Sequence, residues 1–482
     1  MFLKTAVTGQ QQIVRDDQVK NNAGGFVFAL DKWTYLDRFL ILGTQGGTYY
    51  AGQSKMTEDA FKALDACIAE DGVRVVQRVR ELSISGRAPR QDYLIFALAR
   101  CASVKDGKMA QLTRMAAFAA MESVLRTGSH LLQFVAYVRT MRKFGPGLRK
   151  AVARWLSSKT PDQLGYQLVK YRNRAGWTMR DLFRMTKPGK YIKDTTSGQH
   201  DALLGWAARG VPSALLPQVV VNHLVAMKSD VPLPELAKHL PREAIPTAWL
   251  KERSVLEAML PGMPLTAMIR NLANMTRAGL FEDSNNVAHV LDKLGNVETL
   301  RKARVHPINV LTAWLTYKEG RSPQRRDLKG YFTGTGRTWE PNPHIVRALE
   351  RAFALSFGNV DPAGSRTLIG LDVSGSMGSP NMLDIPGLTP RMASAALSAI
   401  QVATEPKCDV IAFTSGRRYS AYSGITKIDV DLERGFAAYV ASISNLSFGS
   451  TDCSLPMLFA SANNMPYDTF VIYTDNETRA GQ

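Results

Sequence analysis

The feature that most restricts the fold is a change of texture near residue 360. Upstream of it, apolar residues recur at helical spacing in many short segments, among them Glu58–Leu82, Tyr93–Ala102, Ala110–Leu125, Leu131–Phe144 and Leu203–Ala208. Thr160-Pro161-Asp162 places a hydroxyl at a helix cap, proline in the first turn and an acid behind it. Prolines also lead into Leu265–Met275 and Ile308–Tyr317. Short helices sustained over such a length predict a degenerate HEAT-like array of stacked helical pairs, with a compact bundle as the alternative. Downstream of a Gly358–Gly364 linker, strand and helix patterns alternate. Arg366–Val373, Cys408–Phe413 and Thr469–Tyr473 read as buried strands, and Arg391–Thr404 and Leu432–Ile443 as helices. That alternation predicts an α/β domain with a parallel sheet. The expected division is therefore 1–361, mostly α, and 362–482, α/β.

Charge follows the same division. Residues 362–482 hold 8 basic and 11 acidic residues, net −3, so residues 1–361 carry 52 basic and 31 acidic residues, net +21. Arg139–Lys193 alone carries 15 basic residues against Asp162 and Asp181, net +13. A solvated face usually mixes both signs, and such an imbalance repels itself unless a polyanion relieves it. Nucleic acid is the first expectation; an acidic protein or a membrane surface is the alternative. In a continuous helix Tyr166, Lys170 and Arg174 would share one face at i, i+4 and i+8, a row suited to adjacent phosphates. Arg172 would point elsewhere, and Arg180, Arg184 and Lys187 would extend the surface along the next helix. Arg139, Arg142 and Lys143 complete the expected basic face. Trp177, and the aromatics Phe26, Phe28, Trp33, Tyr35, Phe39, Tyr49 and Tyr50 between two glycine pairs, read as core before base-stacking platforms.

Composition excludes other classes. With 45% hydrophobic and 21% charged residues the chain is of ordinary globular type. No apolar run reaches the roughly 18 residues of a membrane span, and the N-terminus does not read as a secretory signal. Four separated cysteines argue against a disulfide framework or a zinc cluster. A soluble cytoplasmic protein without membrane contact is expected.

The most specific motif is Asp372-Val373-Ser374-Gly375-Ser376 at the carboxyl end of the first buried strand, the edge where open α/β sheets bind ligands. One carboxylate and two hydroxyls suit a hard divalent cation, Mg2+ foremost, with coordination positions left for other loops, water or a partner. Thr451 and Asp475, each in a later loop at the same edge, supply further oxygens. A structural reading, with both serines merely capping the next helix, is the alternative. A nuclease would need more acids clustered with a water-activating group, which the dispersed acids of 362–482 do not offer.

This constellation resembles the metal-ion-dependent adhesion site of von Willebrand factor A domains. The resemblance implies that Asp372, Ser374, Ser376, Thr451 and Asp475 surround Mg2+, whose open position takes a partner's carboxylate. Read with the helical half, nearly the whole chain resembles the Ro autoantigen (TROVE) family. The matching stretches are Asn21–Gly25 through Asp37–Leu40 to Gly46–Tyr50, Lys170-Tyr171 with Gly176-Trp177 and Asp181-Leu182, Arg270–Leu272, His306–Lys318, Gly449–Pro456 and Thr474–Thr478. The family resemblance implies a monomeric ring of HEAT-like repeats closed by the A domain. It implies a non-enzymatic role in RNA quality control: Y-type noncoding RNA on a basic outer surface, and single-stranded 3′ ends of misfolded or decaying RNA in the ring cavity. An exoribonuclease or another protein would be engaged through the metal site; a metal-dependent protein-adhesion scaffold is the rival. Two departures stand out. Met179 and Lys187 replace family histidines, and the A domain is expected to be cut short, the chain ending at Gln482.

Overall fold

The computed structural model describes residues 13, 15–20, 26–44, 53–193, 195–323, 325–326, 332–333, 336–378, 382, 385, 387–414, 424–444, 446 and 451–474. The chain divides into two compact units, Met1–Trp249 and Leu250–Gln482.

The first unit begins with an antiparallel pair, β1 (Gln18–Lys20) and β2 (Phe26–Phe28). Helices follow: α1 (Lys32–Leu42), α2 (Gln53–Ser85), α3 (Asp92–Ala102), α4 (Ala110–Val124), α5 (Gly128–Met141), α6 (Pro146–Ser157) and α7 (Pro161–Lys170). A two-residue hairpin, β3 (Asn173–Arg174) and β4 (Trp177–Thr178), leads into α8 (Met179–Thr186), α9 (Gln199–Arg209), α10 (Gln218–Lys228) and α11 (Pro234–Ala237). Helices pack on their second neighbours in sequence, α2 on α4, α3 on α5, α4 on α6 and α6 on α8. That layering belongs to a repeat array, not a bundle.

Side chains explain the layering. Asp31 caps α1 by accepting from the Trp33 and Thr34 amides, and Leu36, Phe39 and Leu40 of that helix are buried. Trp33 and Tyr35 are half-buried, while the flanking glycine pairs and Tyr49-Tyr50 lie outside the described residues. The apolar pattern of Glu58–Leu82 covers two helical pieces, because Asp71 leaves helical geometry at φ −150°, ψ 85°. Its carboxylate then accepts from the Arg74 amide at 2.9 Å and restarts the helix. Next to it, a Cβ on Gly72 would come within 2.4 Å of the Thr113 hydroxyl, so glycine is what lets α4 lie against α2. Bidentate pairs Arg78–Asp37 (2.7 and 2.9 Å) and Arg100–Asp65 (both 2.7 Å) tie α2 to α1 and α3.

The second unit opens with α12 (Arg253–Met259), α13 (Leu265–Arg277), α14 (Ser284–Gly295), α15 (Val297–Lys302) and α16 (Pro307–Glu319). A small hairpin, β5 (Arg325–Arg326) and β6 (Phe332–Thr333), and α17 (Pro343–Leu355) precede the α/β part. That part runs β7 (Arg366–Asp372), α18 (Pro390–Thr404), β8 (Lys407–Phe413), β9 (Ile425–Ile428), α19 (Phe436–Ser444), α20 (Leu455–Ala462) and β10 (Thr469–Tyr473). The sheet order is β10-β7-β8-β9. β10, β7 and β8 are parallel as expected, but β9 runs antiparallel to β8. The sheet is therefore mixed, with β9 an antiparallel strand at its edge. Phe436 at the start of α19 meets Phe353 of α17 edge-on at 5.0 Å and Trp314 of α16 at 6.3 Å. The α/β part begins at β7, close to the change of texture near residue 360. Among the described residues no helix is long and apolar enough to cross a membrane.

β7 lies inside the sheet, with Leu368, Ile369 and Leu371 fully buried. A Cβ on Gly370 would come within 2.7 Å of the Pro456 ring and 2.9 Å of Ile472. Gly370→Ala is therefore expected to overpack the sheet–helix layer and cost about 1–3 kcal/mol. The denaturation midpoint measures it, and an unchanged midpoint would contradict this packing.

Candidate nucleic-acid interface and metal centre

The basic stretch is organised by three caps. Thr160 and Gln163 form a capping box at the start of α7, with Pro161 in the first turn. The helix stops at Lys170, so the expected continuous row over Tyr166, Lys170 and Arg174 is broken. Lys170 Nζ does donate to Tyr166 Oη, at 3.2 Å. Arg174 instead stands in the hairpin opposite Trp177, across a two-residue turn in which Ala175 (φ 51°) and Gly176 (φ 77°) are both left-handed. That is the turn geometry whose twist matches paired strands. Thr178 and Asp181 then form a second capping box that starts α8, which ends at the left-handed Lys187 (φ 48°).

The turns expose Arg172, Arg174, Arg180, Arg184 and Lys187 together. Arg184, Lys187, Lys190 and Arg209 line one groove of about 700 Å³ between α8 and α9, which also contains Asp201. Lys190 and Arg209 were not singled out in the sequence; Arg209 comes from the next helix, and only its packing on α8 brings it in. The other expected cations separate by environment. Lys143 is exposed. Arg139 is exposed and lies over the Phe144 ring at 6.0 Å, and Phe144 meets the half-buried Trp177 edge-on at 5.8 Å. Arg142 is half-buried and donates to the Ala102 carbonyl at 2.9 Å. Arg180 donates from Nε to Ala208 O at 3.2 Å, joining α8 to α9 while remaining exposed. Among the described residues none of Arg139, Lys143, Lys170, Arg172, Arg174, Arg184 and Lys187 forms an ion pair with a carboxylate.

Beneath the hairpin, burial pushes the His130 imidazole down to about 4, and Arg126 and Arg174 add repulsion. Its Nδ1 is buried and meets no partner among the described residues. The folded form therefore binds fewer protons than the unfolded chain between pH 6.5, the ordinary histidine value, and about 4. Stability is fully present above that window and falls as pH drops through it, by roughly 2 kcal/mol once partial exposure is allowed for. His130→Gln should flatten that segment of the stability–pH curve, and an unchanged slope would contradict the assignment.

The metal motif is gathered at the carboxyl edge of the sheet. Asp372 is 1% exposed and Ser374 and Thr451 each 4%, whereas Ser376 is exposed. Asp372 Oδ1 accepts from the Ser374 amide at 2.8 Å. Its Oδ2 accepts from Thr451 Oγ1 at 3.3 Å and from Thr474 Oγ1 at 2.8 Å. The Ser374 and Ser376 hydroxyls are 3.2 Å apart. Arg391 donates from Nη2 to Ser374 O at 3.3 Å; burial pushes its guanidinium down, and Asp372 opposes that shift. Asp475 lies outside the described residues. Thr474, which follows directly on the strand that pairs in parallel with β7, was not among the expected metal-site residues. One carboxylate among hydroxyls is an all-oxygen, hard donor set, and it fits Mg2+ better than a softer metal. Among the described residues no group of three or more His, Cys, Asp or Glu side chains could hold a metal ion. The hydroxyls are therefore integral to this candidate centre.

Comparison with known proteins agrees with this architecture. A TROVE domain model matches residues 19–210 and 235–330, and a Ro60 vWA domain model matches 366–482. The RNA-binding protein RO60 of Deinococcus radiodurans is 36% identical over 98% of this chain and 86% of its own length. The RNA-binding protein RO60 of Caenorhabditis elegans is 32% identical over 99% of this chain and 82% of its own. The crystal structure of the Deinococcus radiodurans RO (RSR) protein superposes with a TM-score of 0.78 at 33% identity, covering 94% of this chain and 88% of that one. With both domain models in order and relatives that match nearly the whole of this chain, the chain belongs to the Ro60 family of TROVE-domain proteins.

Proposed function

We propose that this protein binds small structured noncoding RNA through the surface formed by the 173–178 hairpin and α8. The observation that carries the reading is the set of exposed cations there, Arg172, Arg174, Arg184 and Lys187, that form no ion pair with a carboxylate among the described residues. Cations without internal partners can neutralise phosphates without first breaking an ion pair, and counterion release then supplies most of the affinity. Lys143 and Arg139 extend that surface; Arg142 and Arg180, tied to backbone carbonyls, act first as braces. The printed names of the relatives, RNA-binding protein RO60, support the same reading. Y-type RNA and the unpaired 3′ ends of misfolded or decaying RNA are the proposed ligand classes, and quality control of such RNA the proposed role. Crosslinking in cells followed by sequencing of the bound RNA tests it: small folded noncoding species should dominate, and recovery of messenger RNA alone would count against it.

We further propose that Asp372, Ser374, Ser376 and Thr451, with Asp475, hold Mg2+. When bound, the ion would offer an open position to a carboxylate of a protein partner, an exoribonuclease being one candidate. Asp372 contributes the one charged ligand among the described residues, and Thr474 and the Ser374 amide orient it. The reading is one of binding, not of catalysis.

A further inference from the structure

The outer side of α4 is apolar where a solvated helix face is ordinarily polar. Its exposed positions are Gln111, Leu112, Met115, Ala119 and Glu122, and Leu112 and Met115 are 50% and 59% exposed. Leu112, Met115 and Ala119 fall at i, i+3 and i+7, so they form one stripe along the helix. Met109, just before the helix, is exposed as well. Beside the stripe lies a groove of about 530 Å³ between α4 and α6, lined by Met115, Phe118, Ala151 and the exposed Tyr191. Gly147 opens α6 on that side, where a Cβ would come 3.1 Å from the Phe118 ring. The two helices are clamped to each other: Arg154 of α6 donates to Phe118 O at 2.6 Å and pairs with Glu122 at 2.8 Å. The groove is therefore preformed. Its rim is positive. Lys150 lines it and is exposed, and the exposed Lys190 and Lys193 flank Tyr191. Among the described residues none of these three lysines forms an ion pair with a carboxylate, and Glu122, the one acid of α4, is taken by Arg154.

We propose that this groove docks a protein partner through an acidic amphipathic helix, a role beyond RNA binding. Such a helix lays its apolar face on Leu112, Met115 and Tyr191 and sets its carboxylates against Lys150 and Lys193. That is recognition of a helix in a groove, with apolar anchors inside and polar groups at the rim. The unbranched, polarisable side chain of Met115 adapts its shape to the anchor it meets. Charge decides the occupant. A basic helix would be repelled by the rim lysines, and a second copy of this face would bring its own lysines against them. An RNA strand would satisfy the lysines but would set ribose and phosphate against Leu112 and Met115, leaving the stripe without an apolar partner. Only an acidic helix with an apolar face answers both the stripe and the rim.

The test uses the full-length protein and a fluorescein-labelled peptide of about 18 residues, long enough to form an isolated helix, with leucines on one face and glutamates on the other. A second peptide carries lysines in place of the glutamates, and fluorescence anisotropy measures both. The wild type should bind the acidic peptide at least about tenfold more tightly than the basic one. Leu112→Gln with Met115→Gln removes the apolar stripe without changing charge, and it should weaken the acidic peptide about tenfold while leaving affinity for an RNA hairpin unchanged. Lys150→Glu should weaken the acidic peptide and strengthen the basic one. All three residues are exposed, and an unchanged melting temperature checks that the variants fold. A wild type that does not prefer the acidic peptide, or a preference untouched by both variants, overturns the proposal. Loss of hairpin affinity in the double glutamine variant would assign the groove to RNA and overturn it as well.

Discussion

Replacing Lys170, Arg172 and Arg174 together by glutamate is expected to lower affinity for a structured RNA by at least about 100-fold, since each lost phosphate contact forfeits counterion release and each reversed charge adds repulsion. The fold should persist. Arg172 and Arg174 are exposed, and Lys170 is half-buried, its ammonium donating to the hydroxyl of the exposed Tyr166 and lying over the Tyr166 and Tyr171 rings at 5.4 and 5.5 Å. Circular dichroism and the melting temperature check that condition, and titration of a labelled RNA hairpin measures the loss. Affinity within a few-fold of wild type would remove this hairpin from the interface. Arg142→Gln offers a contrast. Its guanidinium holds the Ala102 carbonyl, so its loss should lower stability more than RNA affinity.

The second large effect concerns the metal centre. At a Mg2+ concentration of about 100 times its dissociation constant, binding to the folded state alone contributes about 2.7 kcal/mol and raises the melting temperature. Asp372→Ala should abolish that response, because it removes the charged ligand and leaves the Thr451 and Thr474 hydroxyls without their acceptor. It should also lower stability in the absence of Mg2+, since those hydroxyls lie in a largely buried pocket. Binding of the RNA hairpin should survive, as its surface belongs to residues 139–193. Loss of RNA binding without unfolding would place the metal in the RNA site, and a wild type indifferent to Mg2+ would contradict the metal assignment.

Periodicity made the helices legible because most of them bury one face. The segments beginning at Tyr93, Ala110 and Leu131 correspond to α3, α4 and α5. It could not show the break at Asp71, where a carboxylate restarts the helix and leaves the apolar spacing almost undisturbed. The same limitation misplaced Arg174. Counting by fours carries a helix through Tyr171 to Arg174, but α7 stops at Lys170 and the left-handed Ala175-Gly176 turn pairs Arg174 with Trp177 in a hairpin. β9 was also hidden: Ile425-Thr426-Lys427-Ile428 shows no apolar–polar alternation, and its pairing with β8 shows it to be an antiparallel strand. At the metal motif the sequence pointed to oxygens in three loops, Asp372, Ser374 and Ser376 with Thr451 and Asp475, while the contact of Thr474 with Asp372 required the folded chain. The charge count located the basic face. It could not separate exposed cations without a backbone partner from braces such as Arg142 and Arg154, which are bound to backbone carbonyls from other helices.

The central claim, that exposed cations of the 173–178 hairpin and α8 hold RNA through its phosphates, is tested most directly by measuring hairpin affinity against salt concentration. The logarithm of the wild-type association constant should fall linearly with the logarithm of salt, with a slope steeper than about −3. The Lys170, Arg172 and Arg174 triple variant should show a slope shallower by about 2 to 3. A wild-type affinity insensitive to salt, or identical slopes for the two proteins, would contradict the account.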